Sequence, residues 1–241
     1  MIDLFYMNGL PVAVMGLGKT GLATAAALQR SGAEALVWDD NPAKRDEALA
    51  AGFTLFDPTT ADLSELTTIV WSPGIPHTFP KPHPAAVRAR ESGVEVVCDI
   101  ELLGRSERDA AFIGITGTNG KSTTTALIGH IMDAVGHRAA VGGNLGTPVL
   151  TLPALGAGGT YVLEMSSYQL ELTLSITFDV AVLLNITPDH LDRHGGMDGY
   201  VAAKKLIFHR QTKPRTAVIG VDDDHCRAIY AALKAAGDQV L

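Results

Sequence analysis

The sequence predicts an α/β protein made of two consecutive parallel-sheet units, a Rossmann-like unit followed by an incomplete P-loop ATPase-type unit. Short β-rich runs alternate with helical patterns along the chain, and the alternation restarts after Cys98. Each series also opens on a glycine-rich turn between a strand and a helix, where parallel sheets bind phosphates. We therefore predict domains at residues 1–98 and 99–241.

The individual elements follow from the period of the apolar residues. In the first series, strands are predicted at 12–15, 35–38, 68–71 and 94–97, and helices at 22–29, 43–51 and 85–91. A short connecting helix is predicted at 100–103. In the second series, strands are predicted at 112–116, 139–141, 161–163, 180–184 and 217–221, with a helix at 126–135. The loops that follow these strands are therefore the places to look for ligands.

The bulk composition limits the classes of function. A net charge of -7 and the absence of a long basic run argue against a general nucleic-acid surface. Two cysteines, Cys98 and Cys226, fit a reducing compartment and packing roles better than a disulfide scaffold. The sequence shows neither a secretory leader nor an apolar stretch long enough to cross a bilayer. We expect a soluble cytoplasmic protein that is a monomer.

The most informative motif is the loop after the run 112–116. It consists of Gly117, Thr118, Asn119, Gly120, Lys121, Ser122 and Thr123. Backbone N–H groups of such a loop surround phosphate oxygens, while the lysine reaches the outer phosphates and the serine hydroxyl can hold Mg²⁺. The usual first glycine would fall at Ile115, so the match is to the Gly-Lys-Ser half of the pattern. The motif predicts ATP as the ligand.

The first series has its own glycine motif, G-x-G-x-x-G at 16–21, with Asp39 at the end of the next strand. This pattern is typical of a dinucleotide site, but it equally suits the diphosphate of a UDP-sugar, and it also serves simply to pack a helix on a sheet. The loop 72–74 ends another strand and is either a source of backbone donors or a plain turn. His77 and His83 lie in proline-rich loop, where we expect solvent exposure.

Candidate metal ligands follow two strands of the second series. Glu164 ends a strand and is expected to face the Mg²⁺ held by Ser122. His190 is a candidate for a second metal or for orienting a substrate, although Thr187 and Pro188 also suit a helix start. His190 and His194 are one helical turn apart, which fits zinc, but oxygen ligands beside a nucleotide loop favour Mg²⁺.

Lys204 shares a helical face with Tyr200, Ile207 and Phe208, whereas Lys205 points toward solvent. Burial would lower the pKa of Lys204 and allow the neutral amine to add CO₂, but residues alone favour a lysine that snorkels to the surface. Two roles fit Asn144. It either contacts substrate or adopts the left-handed backbone that such glycine-rich turns tolerate.

Taken together, these motifs resemble those of the Mur ligases, and the resemblance covers almost the whole chain. The matching segments stand in the family's order: 117–123, Gly143-Asn144, Glu164 to Leu170, Asp189 to Asp192 and Ala202 to Lys204. The Ser-Ser-Tyr-Gln-Leu sequence and Asp99 to Leu102 are most like the branch that adds D-glutamate to UDP-N-acetylmuramoyl-L-alanine in peptidoglycan synthesis. The implied reaction uses ATP to make an acyl phosphate, which the D-glutamate amine then attacks.

The resemblance also implies residue roles. Lys121, His190 and Lys204 would be catalytic, Ser122 and Glu164 would bind one Mg²⁺, and His190 with carbamylated Lys204 would bind a second. The implied substrate contacts are Gly18, Lys19, Thr20, Asp39, Ser72, Pro73, Gly74, Asn144 and Ser166. The 16–21 motif is thereby reassigned from NAD to UDP.

Two departures from the family pattern qualify these expectations. Asp40 stands where the family often has a hydroxyl residue beside the uracil. Mur ligases also continue into further central segments and a C-terminal domain that binds the amino acid, so we expect a truncated ligase that does not complete ligation alone. The alternatives are another Mur-type or folylpolyglutamate-type ligase and an NAD-dependent oxidoreductase. The oxidoreductase leaves Lys121, Glu164 and His190 unexplained.

Overall fold

Contacts divide the chain into two units. A computed structural model describes residues 1–209, 211 and 215–241. The first unit contains Met1–Ser106, Pro148–Ala154 and Leu172–Leu174, and the second contains Glu107–Thr147, Leu155–Glu171 and Ser175–Leu241. The main division thus follows Ser106, whereas the sequence places the domain boundary after Cys98.

The first unit is a five-stranded parallel sheet with helices along the chain between its strands. Its strands are β1 (Pro11–Met15), β2 (Glu34–Trp38), β3 (Thr54–Leu55), β4 (Thr68–Trp71) and β5 (Glu95–Val97), in the order β3-β2-β1-β4-β5. Its helices are α1 (Lys19–Arg30), α2 (Pro42–Ala50), α3 (Pro84–Ser92) and α4 (Asp99–Ser106), with short 3-10 helices at Phe5–Met7 and Val149–Thr151. Strand β1 lies at the centre, so the turn that follows it lies between the turns after β2 and β4.

Helix α4 belongs to the first unit because its charged side chains bond to that unit. Arg105 makes two hydrogen bonds to Glu95, at 2.7 and 2.8 Å, and one to Glu101 at 2.9 Å. The Glu101 side chain is fully buried and also accepts the backbone N–H of Leu174 at 2.8 Å. These bonds compensate the desolvation of a buried carboxylate and fix the helix against β5.

The second unit is another five-stranded parallel sheet. Its strands are β6 (Ala111–Thr116), β7 (Ala139–Gly143), β8 (Thr160–Glu164), β9 (Val180–Leu183) and β10 (Thr216–Ile219), in the order β10-β9-β6-β8-β7. Its helices are α5 (Lys121–Ala134), α6 (Ser167–Glu171), α7 (Leu191–His194), α8 (Met197–Lys205) and α9 (Asp224–Ala235), with a 3-10 helix at Leu206–Phe208. Beyond α9, Val240 forms a parallel bridge to Ala217 at the outer side of β10.

The core of the second unit lies between α5 and the middle of its sheet. Buried Ile113, Ile115, Val162 and Val182 form a cluster, against which Ile128 and other partly buried apolar residues pack. Strand β6 is buried almost throughout, as expected for a central parallel strand. This packing holds the turn after β6 in a fixed position at the carboxyl edge of the sheet.

The fold class predicted from sequence is confirmed. The alternating pattern located four strands of the first unit and all five of the second, with end residues shifted by one or two positions. It missed the two-residue strand β3 and the short helices α6 and α7, because such short elements carry too little periodicity. It also missed the 12-residue helix α9. Within the described residues, no helix is both long and apolar enough to cross a membrane.

Candidate nucleotide and metal sites

The predicted phosphate loop connects β6 to α5. Gly117 and Gly120 have φ values of +154° and +85°, in the region that favours glycine. A Cβ on Gly117 would lie 3.0 Å from the Cβ of Leu184, so the loop also approaches the end of β9 closely. The backbone is therefore shaped for an exposed concave turn at a helix N-terminus, which suits a phosphate.

Asn185, two residues after the end of β9, holds the loop in this shape. Its carbonyl oxygen accepts the N–H of Thr118 at 3.0 Å and its side-chain oxygen accepts the N–H of Asn119 at 2.9 Å. Its amide in turn donates to the carbonyl of Asn119 at 3.1 Å. The Thr118 hydroxyl donates to the carbonyl of Thr187 at 3.0 Å. The loop is thus preorganised by the neighbouring strand end.

Lys121 folds back over its own loop. Its Nζ donates to the carbonyl oxygens of Gly117 and Thr118, both at 2.9 Å. The charge therefore sits above the glycine turn, where phosphate oxygens would meet it.

Ser122 and Glu164 come together at the edge of the sheet, as the spacing of the motifs suggested. The Ser122 hydroxyl donates to Glu164 Oε2 at 2.6 Å, and the amide of Asn144 donates to Glu164 Oε1 at 2.8 Å. A Cβ on Gly143 would lie 2.2 Å from the carbonyl oxygen of Glu164, so glycine permits β7 to deliver Asn144 here. Glu164 is 2% exposed. A hydroxyl and a carboxylate in contact are the hard oxygen donors that Mg²⁺ prefers.

This donor pair does not amount to an all-protein metal cage. Across the part of the chain that the structure describes, no group of three or more His, Cys, Asp or Glu side chains is arranged to hold a metal ion. Mg²⁺ usually keeps several waters and takes one or two protein ligands beside phosphates, so the Ser122 and Glu164 pair fits this ion.

A cavity of about 240 Å³ lies beside the loop. Its lining residues are Lys121, Asn144, Ser166, Ser167, Tyr168, Asp189, His190, Tyr200 and Lys204. It brings together five residues singled out from sequence: Lys121 on α5, Asn144 after β7, Ser166 after β8, His190 before α7 and Lys204 on α8. No role was predicted from sequence for Ser167, Tyr168, Asp189 or Tyr200, although Asp189 stands directly before the candidate ligand His190.

Lys204 is buried in the wall of this cavity, 1% exposed, so the snorkelling interpretation is wrong. Its Nζ donates to the carbonyl of Gly117 at 2.8 Å and lies 4.7 Å from the ring centre of Tyr200. Burial, together with the charge of Lys121, lowers the pKa of Lys204 to about 7. The side chain points inward because α8 packs its apolar face against the unit, and Lys205 is exposed as predicted.

His190 also lines the cavity and has a left-handed conformation, with φ +51°, immediately before α7. Its ring centre is 5.4 Å from that of Tyr168, and its Nε2 is 3.4 Å from Asp189 Oδ2. Helix α7 begins at Leu191, so Thr187 and Pro188 do not start a helix.

The His190 and His194 pair does not form a shared zinc site. Both ring nitrogens of His194 form hydrogen bonds with other residues, Ser167 and Glu171. His190 lies before the first residue of α7, so the two histidines are not one turn apart on the same helix.

In the first unit, the glycine motif forms a compact turn against its neighbours. Asp39 Oδ2 accepts the N–H of Leu17 at 2.7 Å. A Cβ on Gly21 would lie 1.8 Å from the carbonyl oxygen of Gly16. A Cβ on Gly16 would lie 2.6 Å from the Cβ of Ser72. The turn after β1 therefore adjoins Asp39 after β2 and the 72–74 loop after β4. Gly18, Lys19 and Thr20 at the start of α1 are exposed at this edge, as is Gly74, with Pro73 beside it.

His83 differs from the expectation of solvent exposure. Its Nδ1 accepts the N–H of Ala85, so it caps α3, and its Nε2 lies 2.8 Å from Asp40 Oδ2. The His83 side chain is 14% exposed, and His77 is partly buried. Capping by histidine carries no strong sequence signal, which is why the pattern missed it.

A small cavity that was not predicted from sequence lies under the glycine turn of the first unit. It measures about 20 Å³ and is lined by Gly16, Thr24, Ser72 and Asp99, among others. Asp99 is 4% exposed and its Oδ1 has no hydrogen-bond partner among the described residues. Burial raises the pKa of Asp99 to about 6, although backbone N–H groups oppose this shift. The signal for this buried acid in the sequence is the position of Asp99 at the start of the apolar helix predicted at 100–103.

Both cysteines are buried, and burial raises the pKa of each thiol to about 12. Thiols of this kind are inert at neutral pH, which agrees with the packing roles expected for Cys98 and Cys226.

Comparison with known families decides what this arrangement belongs to. Residues 115–241, more than half of the chain, match the Mur ligase middle domain, and residues 11–98 match the Mur ligase MurD-like N-terminal domain. The chain belongs to the Mur ligase family. Both glycine loops described above lie within or at the edge of these matched segments.

Individual relatives agree with this membership. The chain is 57% identical to UDP-N-acetylmuramoylalanine–D-glutamate ligase of Rhodospirillum rubrum over 97% of this chain and 50% of that protein. It is 52% identical to the protein of the same name from Paramagnetospirillum magneticum, over 100% of this chain and 53% of that protein. The chain thus spans about half the length of the curated relatives it matches.

Solved structures agree on the fold. The UDP-N-acetylmuramate:L-alanyl-gamma-D-glutamyl-meso-diaminopimelate ligase from Neisseria meningitides matches with a TM-score of 0.60 at 16% identity, over 96% of this chain and 77% of that one. A murein peptide ligase from Psychrobacter arcticus matches with a TM-score of 0.55 at 16% identity, over 93% of this chain and 52% of that one. At these identities the likeness concerns the fold alone.

Proposed function

We propose that this protein serves the ATP-dependent addition of D-glutamate to UDP-N-acetylmuramoyl-L-alanine in peptidoglycan biosynthesis. The observation that carries the proposal is the cavity in which Lys121, Asn144, His190 and Lys204 meet beside the phosphate loop. The names of the relatives at 52–57% identity supply the substrate class. The proposal treats the protein as a cytoplasmic monomer.

Each unit has its own proposed contacts to UDP-N-acetylmuramoyl-L-alanine. The UDP group would bind at the glycine turn of the first unit, where Asp39 fixes the Leu17 amide, with contacts from Gly18, Lys19, Thr20 and the loop Ser72, Pro73 and Gly74. The substrate carboxylate would lie near Asn144 and Ser166 in the second unit. Helix α1 begins at this turn, so its N-terminal dipole favours the diphosphate.

In the proposed reaction the substrate carboxylate attacks the terminal phosphate of ATP, ADP leaves, and the amine of D-glutamate displaces phosphate from the acyl phosphate. The loop residues Gly117, Thr118, Asn119, Gly120 and Thr123 would hold the ATP phosphates with Lys121. Lys121 offsets the negative charge that accumulates on the transferred phosphoryl group. His190, which lines the same cavity, would orient the reacting carboxylate.

Ser122 and Glu164 would hold one Mg²⁺, because their oxygens already lie in contact at 2.6 Å. His190 and a carbamylated Lys204 would hold the second. When bound, Mg²⁺ neutralises phosphate charge and polarises the transferred phosphorus. The lowered pKa of Lys204, about 7, supports carbamylation, because the neutral amine is the form that adds CO₂.

Calorimetric titration with UDP-N-acetylmuramoyl-L-alanine tests the substrate assignment. Saturable binding is expected, with no binding of NADH. Asp39→Asn should weaken binding about tenfold, since a charge-assisted bond to the loop is worth roughly 1.5–3 kcal/mol. Asp46→Asn, an exposed change on α2, is the matched control and should bind like the wild type. Binding of NADH in place of the UDP compound would favour an oxidoreductase and overturn the proposal.

Carbamylation has a separate test. The protein equilibrated with ¹³C-bicarbonate should give a carbamate carbon signal in NMR spectra that Lys204→Ala abolishes. Lys205→Ala, which changes the exposed neighbour, should keep the signal. A signal that survives in Lys204→Ala, or no signal in the wild type, would remove Lys204 from the proposed metal ligands.

A further inference from the structure

Three side chains beside the cavity of the second unit form a hydrogen-bonded row that neither the sequence analysis nor the proposed reaction uses. His194 Nε2 lies 2.9 Å from Ser167 Oγ, and His194 Nδ1 lies 3.1 Å from Glu171 Oε1. The His194 side chain is fully buried and that of Glu171 is 21% exposed. Ser167 is one of the residues that line the cavity.

The chemistry of Glu171 and Ser167 determines which ring nitrogen of His194 carries a proton. A carboxylate only accepts hydrogen bonds, so the Nδ1 of His194 that faces Glu171 carries the proton. In a neutral imidazole the other nitrogen is then an acceptor, and the Ser167 hydroxyl donates to it. The lone pairs of Ser167 Oγ remain available to a donor group on a ligand. The order is that of a hydroxyl, a base and an orienting acid.

Packing fixes the imidazole of His194. Its ring stacks on Tyr168 with centres 5.3 Å apart and planes 14° apart, and it lies 5.4 Å from the ring of Tyr200. The Tyr200 hydroxyl is 3.1 Å from the Thr118 hydroxyl, so the row is connected to the phosphate loop. A ring that contacts two aromatic side chains keeps its nitrogens directed at Ser167 and Glu171, which preorganises the row.

We propose that Ser167, His194 and Glu171 form a proton relay that deprotonates an ammonium group bound in the cavity. The inference rests on the proposed function, in which an amine must lose a proton before it attacks the acyl phosphate. An N–H bond of the ammonium breaks and its proton bonds to Ser167 Oγ, while the Ser167 proton passes to His194 Nε2. The nitrogen regains its lone pair, and Glu171 stabilises the imidazolium that forms.

The choice of nucleophile tests this relay. Because this chain is not expected to complete ligation alone, both reactions are run on a chimera in which it is followed by the remaining half of the Rhodospirillum rubrum relative. D-Glutamate arrives as an ammonium, whereas hydroxylamine is unprotonated at neutral pH and traps an acyl phosphate as a hydroxamate. Ser167→Ala, His194→Gln and Glu171→Gln should therefore slow D-glutamate addition by at least about tenfold, since a positioned general base contributes about 10²–10⁴-fold. The same variants should form hydroxamate at a rate within about twofold of the wild type, because that reaction needs no relay. His130→Gln, on the exposed side of α5, is the matched control.

The outcomes separate the two proposals. Equal losses with both nucleophiles would assign the row a structural role, and unchanged D-glutamate addition would exclude it from proton transfer; either result overturns the relay. A chimera with the wild-type residues that forms neither amide nor hydroxamate would count against the proposed function itself. ¹⁵N NMR of the wild-type histidines gives a check that needs no variant to fold: His194 should carry its proton on Nδ1, and the Nε2–H tautomer would contradict the relay.

Discussion

Replacing Asp99 with asparagine should remove a pH-dependent cost to the stability of the first unit. Asp99 is 4% exposed, lies under the glycine turn and leaves Oδ1 without a partner among the described residues. Its pKa in the folded protein is about 6, above the ordinary value of 3.8. The folded state therefore keeps this proton at pH values where the unfolded chain has lost it.

The sign and the size follow from linkage. Below pH 3.8 the Asp99 carboxyl is protonated in both the folded and the unfolded state, so its ionisation does not lower the free energy of unfolding. As the pH rises from 3.8 to about 6, the folded state binds more protons than the unfolded chain, so stability falls. A shift of about two pK units corresponds to a loss of about 3 kcal/mol in the free energy of unfolding. This loss is present in full above pH 6 in the wild type and is absent in Asp99→Asn.

Urea denaturation followed by tryptophan fluorescence measures this effect, since Trp38 and Trp71 are the two tryptophans of the chain and both lie in the first unit. The free energy of unfolding of Asp99→Asn minus that of the wild type should rise by about 3 kcal/mol between pH 3.5 and pH 7. Any constant cost of placing an amide in the cavity cancels in this difference between pH values.

Asp46→Asn, on the surface of α2, controls for the loss of one acidic residue. If the stability difference between Asp99→Asn and the wild type is the same at both pH values, the carboxylate is compensated in the folded state and the argument from its burial is refuted.

Two further predictions concern the first unit. Gly21→Ala should destabilise it by about 3 kcal/mol, since overpacked sites cost roughly 1–3 kcal/mol and the new Cβ would meet the rigid carbonyl of Gly16. Gly18→Ala, the control, places its Cβ in open space and should change stability by less than about 1 kcal/mol. Similar urea midpoints for the two variants would contradict this packing. Arg105→Met should cost about 3–5 kcal/mol by removing the cation beside the buried Glu101 carboxylate; a loss below about 1 kcal/mol in the same urea assay would show that the ion pair is not needed.

The sequence by itself determined the class of the fold and the location of its ligand loops. Apolar runs separated by glycine turns are sufficient to specify parallel strands, and parallel strands place their following loops at one edge of a sheet. For this reason Ser122 and Glu164 were expected to meet, although 42 positions separate them in the chain. The predicted roles of these residues in binding ATP and Mg²⁺ stay predictions.

Tertiary structure alone decided the states of individual side chains. Lys204 is buried rather than snorkelling because α8 turns its apolar face inward, and the sequence pattern does not distinguish these outcomes for a long side chain. The pairing of His83 with Asp40 and the row of Ser167, His194 and Glu171 depend on side chains distant in sequence. Periodicity reports which face of an element is covered, but hydrogen-bond partners are fixed only when the elements pack, and these partners set the proton positions at the site.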